Sequence, residues 1–212
     1  MEKLEEIVEQ IHQTFEIRTK TRDLALKEAR MLTRYCANAI RAVHRDECQL
    51  AQEHLANAQH LVDSLHSNLV EHPDIYHAGY TQDALKEFAE ASITYALINH
   101  HPLPTPEDLD IEHHTYLKGL AESAGELRRK CLDILRHGHS ESAERLLGHM
   151  DDIYAVLVTM DYPDAITGGL RRLTDIVRGV TERTRGDLTL SLRQERLEKR
   201  LRAFEDRVLD DD

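Results

Sequence analysis

Glu87 and Glu90 stand three residues apart, and Glu122 and Glu126 stand four apart, each pair inside a stretch of helical apolar periodicity. On a helix those spacings share a face, so each pair sets two carboxylates side by side. Like charges placed that way repel, and destabilise an isolated helix by about 0.2–0.5 kcal/mol. A divalent cation turns the repulsion into attraction, and carboxylates from two neighbouring helices are the hard oxygen ligands that Mg2+ takes. A solvated helix face carries such pairs equally well. Spacing alone leaves both readings open.

The first pair lies in residues 81–95, where the inward stripe reads Ala84, Phe88, Ala91, Tyr95 and Ile98, with Glu87 and Glu90 on its flanks. The second lies in residues 116–130. Its core stripe of Leu117, Leu120, Ala124, Leu127, Cys131 and Ile134 puts Glu122 and Glu126 on the opposite face. On a lone chain that face is solvent; in an assembly it lines a cavity. Between the two helices, Thr105-Pro106-Glu107-Asp108 has the order N-cap, N1 proline, early acids, which starts a short helical turn.

The remaining elements are also helical. Residues 4–43 carry Leu4, Ile7, Ile11 and Phe15, then Leu24, Met31, Tyr35 and Ala39, with a break expected near residues 19–21. Asp46 is the expected N-cap of a helix reaching about Val70, which His72-Pro73-Asp74 ends. His137-Gly138-His139 closes the second acid-bearing helix and Ser140 opens the next, which runs through Leu146, Met150, Ile153 and Leu157 to Asp161-Tyr162-Pro163-Asp164. After Gly168-Gly169 a last long pattern passes through Leu170, Val177, Leu188, Leu190, Leu197 and Phe204. The expected architecture is all-α, a single-domain bundle of about seven helices over residues 1–212, with residues 207–212 as an acidic tail.

Charge and composition narrow the function classes. Hydrophobic residues at 41% and charged residues at 31% fit a folded chain rather than a disordered one. A net charge of -12 opposes a broadly basic nucleic-acid surface, but leaves room for local ones. Two basic stretches qualify. The first includes Lys20, Arg22, Arg30 and Arg34, and the second Arg193, Arg196 and Arg200. No apolar run is long enough to span a bilayer and the N-terminus is charged, so a cytoplasmic protein with no membrane partner is expected. Cys36, Cys48 and Cys131 have no metal-type spacing and read as reduced thiols. The pairs His100-His101, His113-His114 and His137-x-His139 fall at helix ends or loops, without the spacing of a zinc site.

Three pieces of the chain resemble the translin and Trax family, and the Trax branch in particular: Glu87-Phe-Ala-Glu-Ala91, Tyr116-Leu-x-Gly-Leu-Ala-x-x-x-Gly-Glu-Leu-Arg128, and Leu188-Thr-Leu-Ser-Leu-Arg193. The resemblance implies an all-helical fold assembled into a closed shell, a homo-octamer for a single-gene prokaryotic or archaeal member, with RNA inside. It also implies a Mg2+-dependent endoribonuclease acting on single-stranded RNA, with Mn2+ as an alternative metal and single-stranded DNA as an alternative ligand. Carried over by position, the metal-binding and catalytic acids are Glu87, Glu90 and Glu122, with Glu126 as a neighbouring acid. Trax has Asp where this chain has Glu122, so this carboxylate reaches one methylene further. The basic residues named above would hold the RNA backbone.

Two other functions stay open at this stage. One is a translin-like shell that binds nucleic acid without cutting it. The other is an all-helical nucleotide pyrophosphatase of the MazG type, which also uses Glu-x-x-Glu pairs for Mg2+; the later Glu-x-x-x-Glu spacing and the C-terminal motif here do not fit it.

Overall fold

The computed structural model describes residues 1–138 and 140–210. Among them are nine helices and no strand: α1 (Glu2–His44), α2 (Cys48–Leu69), α3 (Pro73–Tyr76), α4 (Gly79–Ile98), α5 (Pro106–Leu109), α6 (His113–Leu135), α7 (Ser140–Val158), α8 (Asp164–Thr167) and α9 (Leu170–Asp210). The two beyond the expected count are the single turns α3 and α8, set where Pro73 and Pro163 break the chain. Pro73 supplies helical φ at N1 of α3 without wasting an N–H, and Pro163 stands as the N-cap of α8, so each proline starts a turn where it stops the chain before it. His139 and the last two aspartates lie outside the described residues, while α9 continues through Asp210 into the stretch expected as a tail.

Chain contacts divide the protein into two compact units, residues 1–95 with 104–119 and residues 96–103 with 120–212. In the first, α1 packs along α2. Ala25, Ala29, Leu32, Cys36, Ala39 and Val43 of α1 are buried, as are Ala51, Ala58, Val62, Leu65 and Leu69 of α2. Small residues at three and four let the helices approach closely, and Ser64 Oγ donates to Glu28 Oε1 across them at 2.7 Å. α1 has no break at residues 19–21; it is one helix of 43 residues, about 65 Å at 1.5 Å rise. Its first turns are exposed, Leu4, Ile7, Ile11 and Phe15 included.

The expected cap of α2 is different. Asp46 sits at φ 60 in the left-handed region, and Glu47 is the N-cap without a side-chain hydrogen bond. Asp tolerates that region better than most residues, and it serves the α1–α2 turn instead. At α5 the expectation is met: Thr105 is the N-cap of a complete capping box with Asp108, and Pro106 follows it.

In the second unit α7 packs on α9. Ala143, Leu146, Met150, Ile153 and Leu157 are buried on one, and Leu170, Thr174, Val177, Thr181, Thr184 and Leu188 on the other. The threonines tolerate burial partly by back-bonding, as Thr174 does to the Leu170 carbonyl and Thr184 to that of Val180. Arg145 of α7 reaches the C-terminal end of α4, donating to the carbonyls of Leu97 at 2.8 Å and Ile98 at 3.3 Å. Those are helix-end carbonyls with no partner further along the helix, so a charged donor there fixes where α4 stops. Beyond Leu188, the apolar residues Leu190, Leu197, Leu201 and Phe204 are exposed. No helix among the described residues is long and apolar enough to cross a membrane.

Candidate metal centre and nucleic-acid surface

α4 is buried on nearly every side. Leu85, Ala89 and Ile93 are as covered as Ala84, Phe88 and Ala91 of the expected stripe, while Tyr95 is half-buried. Apart from its first turns the helix leaves little open face to its charged groups, and Glu87 and Glu90 are half-buried against a neighbour.

That neighbour is α6. Thr115 Oγ1 donates to Gln82 Oε1 at 2.7 Å, and one turn later Gly119 lies directly on the α4 backbone. A Cβ at Gly119 would come within 2.9 Å of the Glu90 nitrogen and the Lys86 carbonyl oxygen. Three residues further along α6 stands Glu122. One carboxylate oxygen each from Glu87, Glu90 and Glu122 lies within 4.8 Å of the others, and all three residues are half-buried.

Three of the four expected acids therefore meet, and Glu126 is not one of that group. It is half-buried one turn on, with an Arg129 Nη1 3.7 Å from its Oε2. Glu122 does lie on the face of α6 away from the apolar stripe, but that face is partly covered within the chain. α6 has a second buried face, 100° steps placing Thr115, Gly119, Glu122, Glu126 and Lys130 together, and Thr115 and Lys130 are themselves buried. An apolar stripe reveals only the face that packs through hydrocarbon. The signal for the other was Gly119, a helix-breaking residue inside an otherwise strong helix, which marks close backbone approach.

Unit charges 4.8 Å apart repel by roughly 1 kcal/mol at the dielectric of water and about 3 kcal/mol at an effective value near 20. Their field is felt below. Cys36 of α1 is fully buried, and burial, then the charges of Glu87 and Glu90, push its thiol far above its ordinary range. It stays an uncharged core residue. Beside the trio, Lys86 Nζ lies 3.3 Å from Glu87 Oε1. An all-oxygen, negatively charged donor set of this size suits a hard divalent cation; a zinc site would call for His or Cys among the three.

The basic residues are all exposed, as phosphate contacts need to be. On α1, Lys20, Arg30 and Arg34 fall within an arc of about 80°, while Arg22 stands about 80° beyond its edge. Lys20 is 3.9 Å from Glu16 and Arg22 is 3.5 Å from Asp23, both exposed pairs that solvent screens. On α9, Arg193, Arg196 and Arg200 share an arc of about 60°. Cys131 is buried as expected but Cys48 is exposed at the start of α2.

Comparison with known proteins fits this arrangement of helices. The chain superposes on the crystal structure of an Archaeoglobus C3PO, a translin/Trax assembly, with a TM-score of 0.81 and 30% identity, covering 87% of this chain and 96% of that one. The same protein in complex with duplex RNA matches with a TM-score of 0.80 and 31% identity over 87% of this chain and 95% of that one. The chain belongs to the translin/Trax family. A Nematostella C3PO, 19% identical with a TM-score of 0.80, shares the fold. An uncharacterized protein of Methanocaldococcus jannaschii is 32% identical over 183 residues, 85% of this chain and 81% of that protein. No family model matches. As a translin/Trax member, the chain is set apart from the MazG-type reading, and its Gly119 and acid trio fall within two of the three motifs that carried the resemblance.

Proposed function

We propose that this translin/Trax member is an RNA-binding, Mg2+-dependent endoribonuclease acting on single-stranded RNA, working as a homo-oligomeric shell. The carboxylate trio carries the reading, because three half-buried acids from two helices, within 4.8 Å of one another, form the all-oxygen donor set that Mg2+ takes. A bound Mg2+ supplies Lewis acidity and a water of lowered pKa. Glu87, Glu90 and Glu122 would hold it, anchored on two helices whose spacing Gly119 and Thr115 fix. Lys20, Arg30 and Arg34 on α1 and Arg193, Arg196 and Arg200 on α9 would hold phosphates without reading sequence. Arg22, on another face of α1, would contribute separately. RNA binding has the support of the Archaeoglobus relative, which is seen with duplex RNA.

Self-association rests on the exposed apolar stripes of the two longest helices: Leu4, Ile7, Ile11 and Phe15 on α1, and Leu190, Leu197, Leu201 and Phe204 on α9. Stripes of that length rarely stay in water. The proposed assembly is an octamer of this chain.

The test is cleavage of labelled single-stranded and duplex RNA with Mg2+, by wild type and by Glu87→Gln/Glu90→Gln, with an EDTA control. Cleavage of the single strand that disappears in both controls, while the variant still binds RNA, supports the reading. Binding without cleavage by wild type would leave a non-catalytic RNA-binding shell.

A further inference from the structure

Neighbouring residues on a helix point about 100° apart and do not face each other. Lys86 and Glu87 nevertheless bring their charged ends to 3.3 Å, with side chains only 16% and 31% exposed. Both side chains must bend toward each other, which sets the ammonium beside Glu87, one of the three acids that meet. The Lys86 backbone lies where α6 comes close, its carbonyl facing Gly119 with no room for a Cβ between them. A lysine ammonium is a compact point charge on a flexible stem. It is chemically the side chain closest to a small cation, and here it is drawn to the acids at some cost in rotamer freedom and solvation.

We propose that Lys86 is a built-in counter-ion of the carboxylate trio, which a divalent cation must displace from Glu87 in order to bind. The inference rests on the proposed metal site and adds its regulation: the site is held closed to weakly available cations and opens when the ammonium swings away. Lys86 then acts through Glu87 and sets the affinity of the site rather than its existence.

The discriminating feature is the sign. A lysine that merely braces the fold would, when removed, leave metal affinity unchanged or lower it. A competing counter-ion, when removed, raises it. The Coulomb attraction of opposite unit charges 3.3 Å apart, taken at the dielectric of water, corresponds to about tenfold in an equilibrium constant, so displacement of Lys86 should cost a competing cation about tenfold in affinity. Isothermal titration with Mn2+ alone, at fixed pH and ionic strength, reads this directly on wild type, Lys86→Met and Lys86→Arg. Lys86→Met is expected to bind Mn2+ about tenfold more tightly and Lys86→Arg to bind close to wild type. Thermal melts in EDTA confirm that each variant is folded.

Tighter binding by Lys86→Met, or binding by Lys86→Met where wild type shows none, supports the proposal. Equal or weaker binding by a folded Lys86→Met, with wild type binding, overturns it and leaves the metal site standing. Absence of Mn2+ binding by wild type and variant alike overturns the metal site itself, and the competition with it.

Discussion

A Cβ built on Gly119 lies 2.5 Å from the Cβ of Ala89, closer than real side-chain contacts come. α6 and α4 therefore meet backbone to backbone, one turn before Glu122 on the first helix and beside Glu90 on the second. Glycine here costs about 1 kcal/mol of helix propensity, which close packing repays. Gly119→Ala must push the helices apart, because two of its three near neighbours are backbone atoms that cannot rotate away. The expected result is a loss of about 1–3 kcal/mol in stability by urea denaturation. Mn2+ affinity should fall with it. Gly125→Ala, on the same helix with open space around the site, is the control and should be neutral or stabilising.

Glu122 should show a trade of stability against binding. Replacing it with Gln keeps the shape and removes one of three like charges within 4.8 Å. In EDTA, Glu122→Gln is expected to melt a few degrees above wild type, corresponding to about 1 kcal/mol. With millimolar Mg2+ the order should reverse, since wild type gains stability by binding and the variant does not. A variant that melts below wild type in EDTA would show that the trio is not a strained cluster.

The long helices, the capping box at Thr105 and the acid pairs from which the cluster of Glu87, Glu90 and Glu122 is drawn were legible because each rests on local rules: periodicity, proline placement and residue spacing. What was not legible depended on neighbours. Whether Glu122 met solvent or a covered face stayed open, because the second contact face of its helix is built from Thr115, Gly119 and Lys130, none of which registers as apolar. Asp46 was misplaced because a capping side chain and a left-handed turn residue have the same composition. Leu197 and Phe204 continue the apolar pattern yet lie exposed, because periodicity identifies an apolar face without saying whether the partner is in the same chain.

Arg145 ties the end of α4 through two carbonyls and also lies 3.2 Å from His149 Nε2. Burial first, and then the Arg145 charge, hold His149 below its ordinary value of 6.5. Its unfolded form takes up a proton more readily than its folded form, so the stability it contributes is complete above about 6.5 and is lost as pH falls from there through the folded value. His149→Gln should flatten the decline of thermal stability between about pH 7 and 5 relative to wild type. His114, also held low chiefly by burial, retains part of the slope, so the variant's curve should be shallower rather than flat. Arg145→Met should cost about 1–3 kcal/mol at neutral pH by stranding the Leu97 and Ile98 carbonyls.

The exposed stripe of α9 gives the assembly its sharpest test. Leu190, Leu197, Leu201 and Phe204 recur at seven, four and three on a helix that has already passed its contacts with α7, so truncating them removes nothing from the core of the chain. Leu197→Glu/Leu201→Glu should leave the far-ultraviolet helix signal and the melting of the isolated chain intact while lowering the mass measured by light scattering. A charged pair in an apolar seam costs each contact several kcal/mol, enough to move association by orders of magnitude. RNA affinity should then fall as well, because a shell multiplies weak phosphate contacts by presenting many at once. If mass falls and RNA affinity is unchanged, the phosphate-binding residues act within single chains and the shell has another purpose.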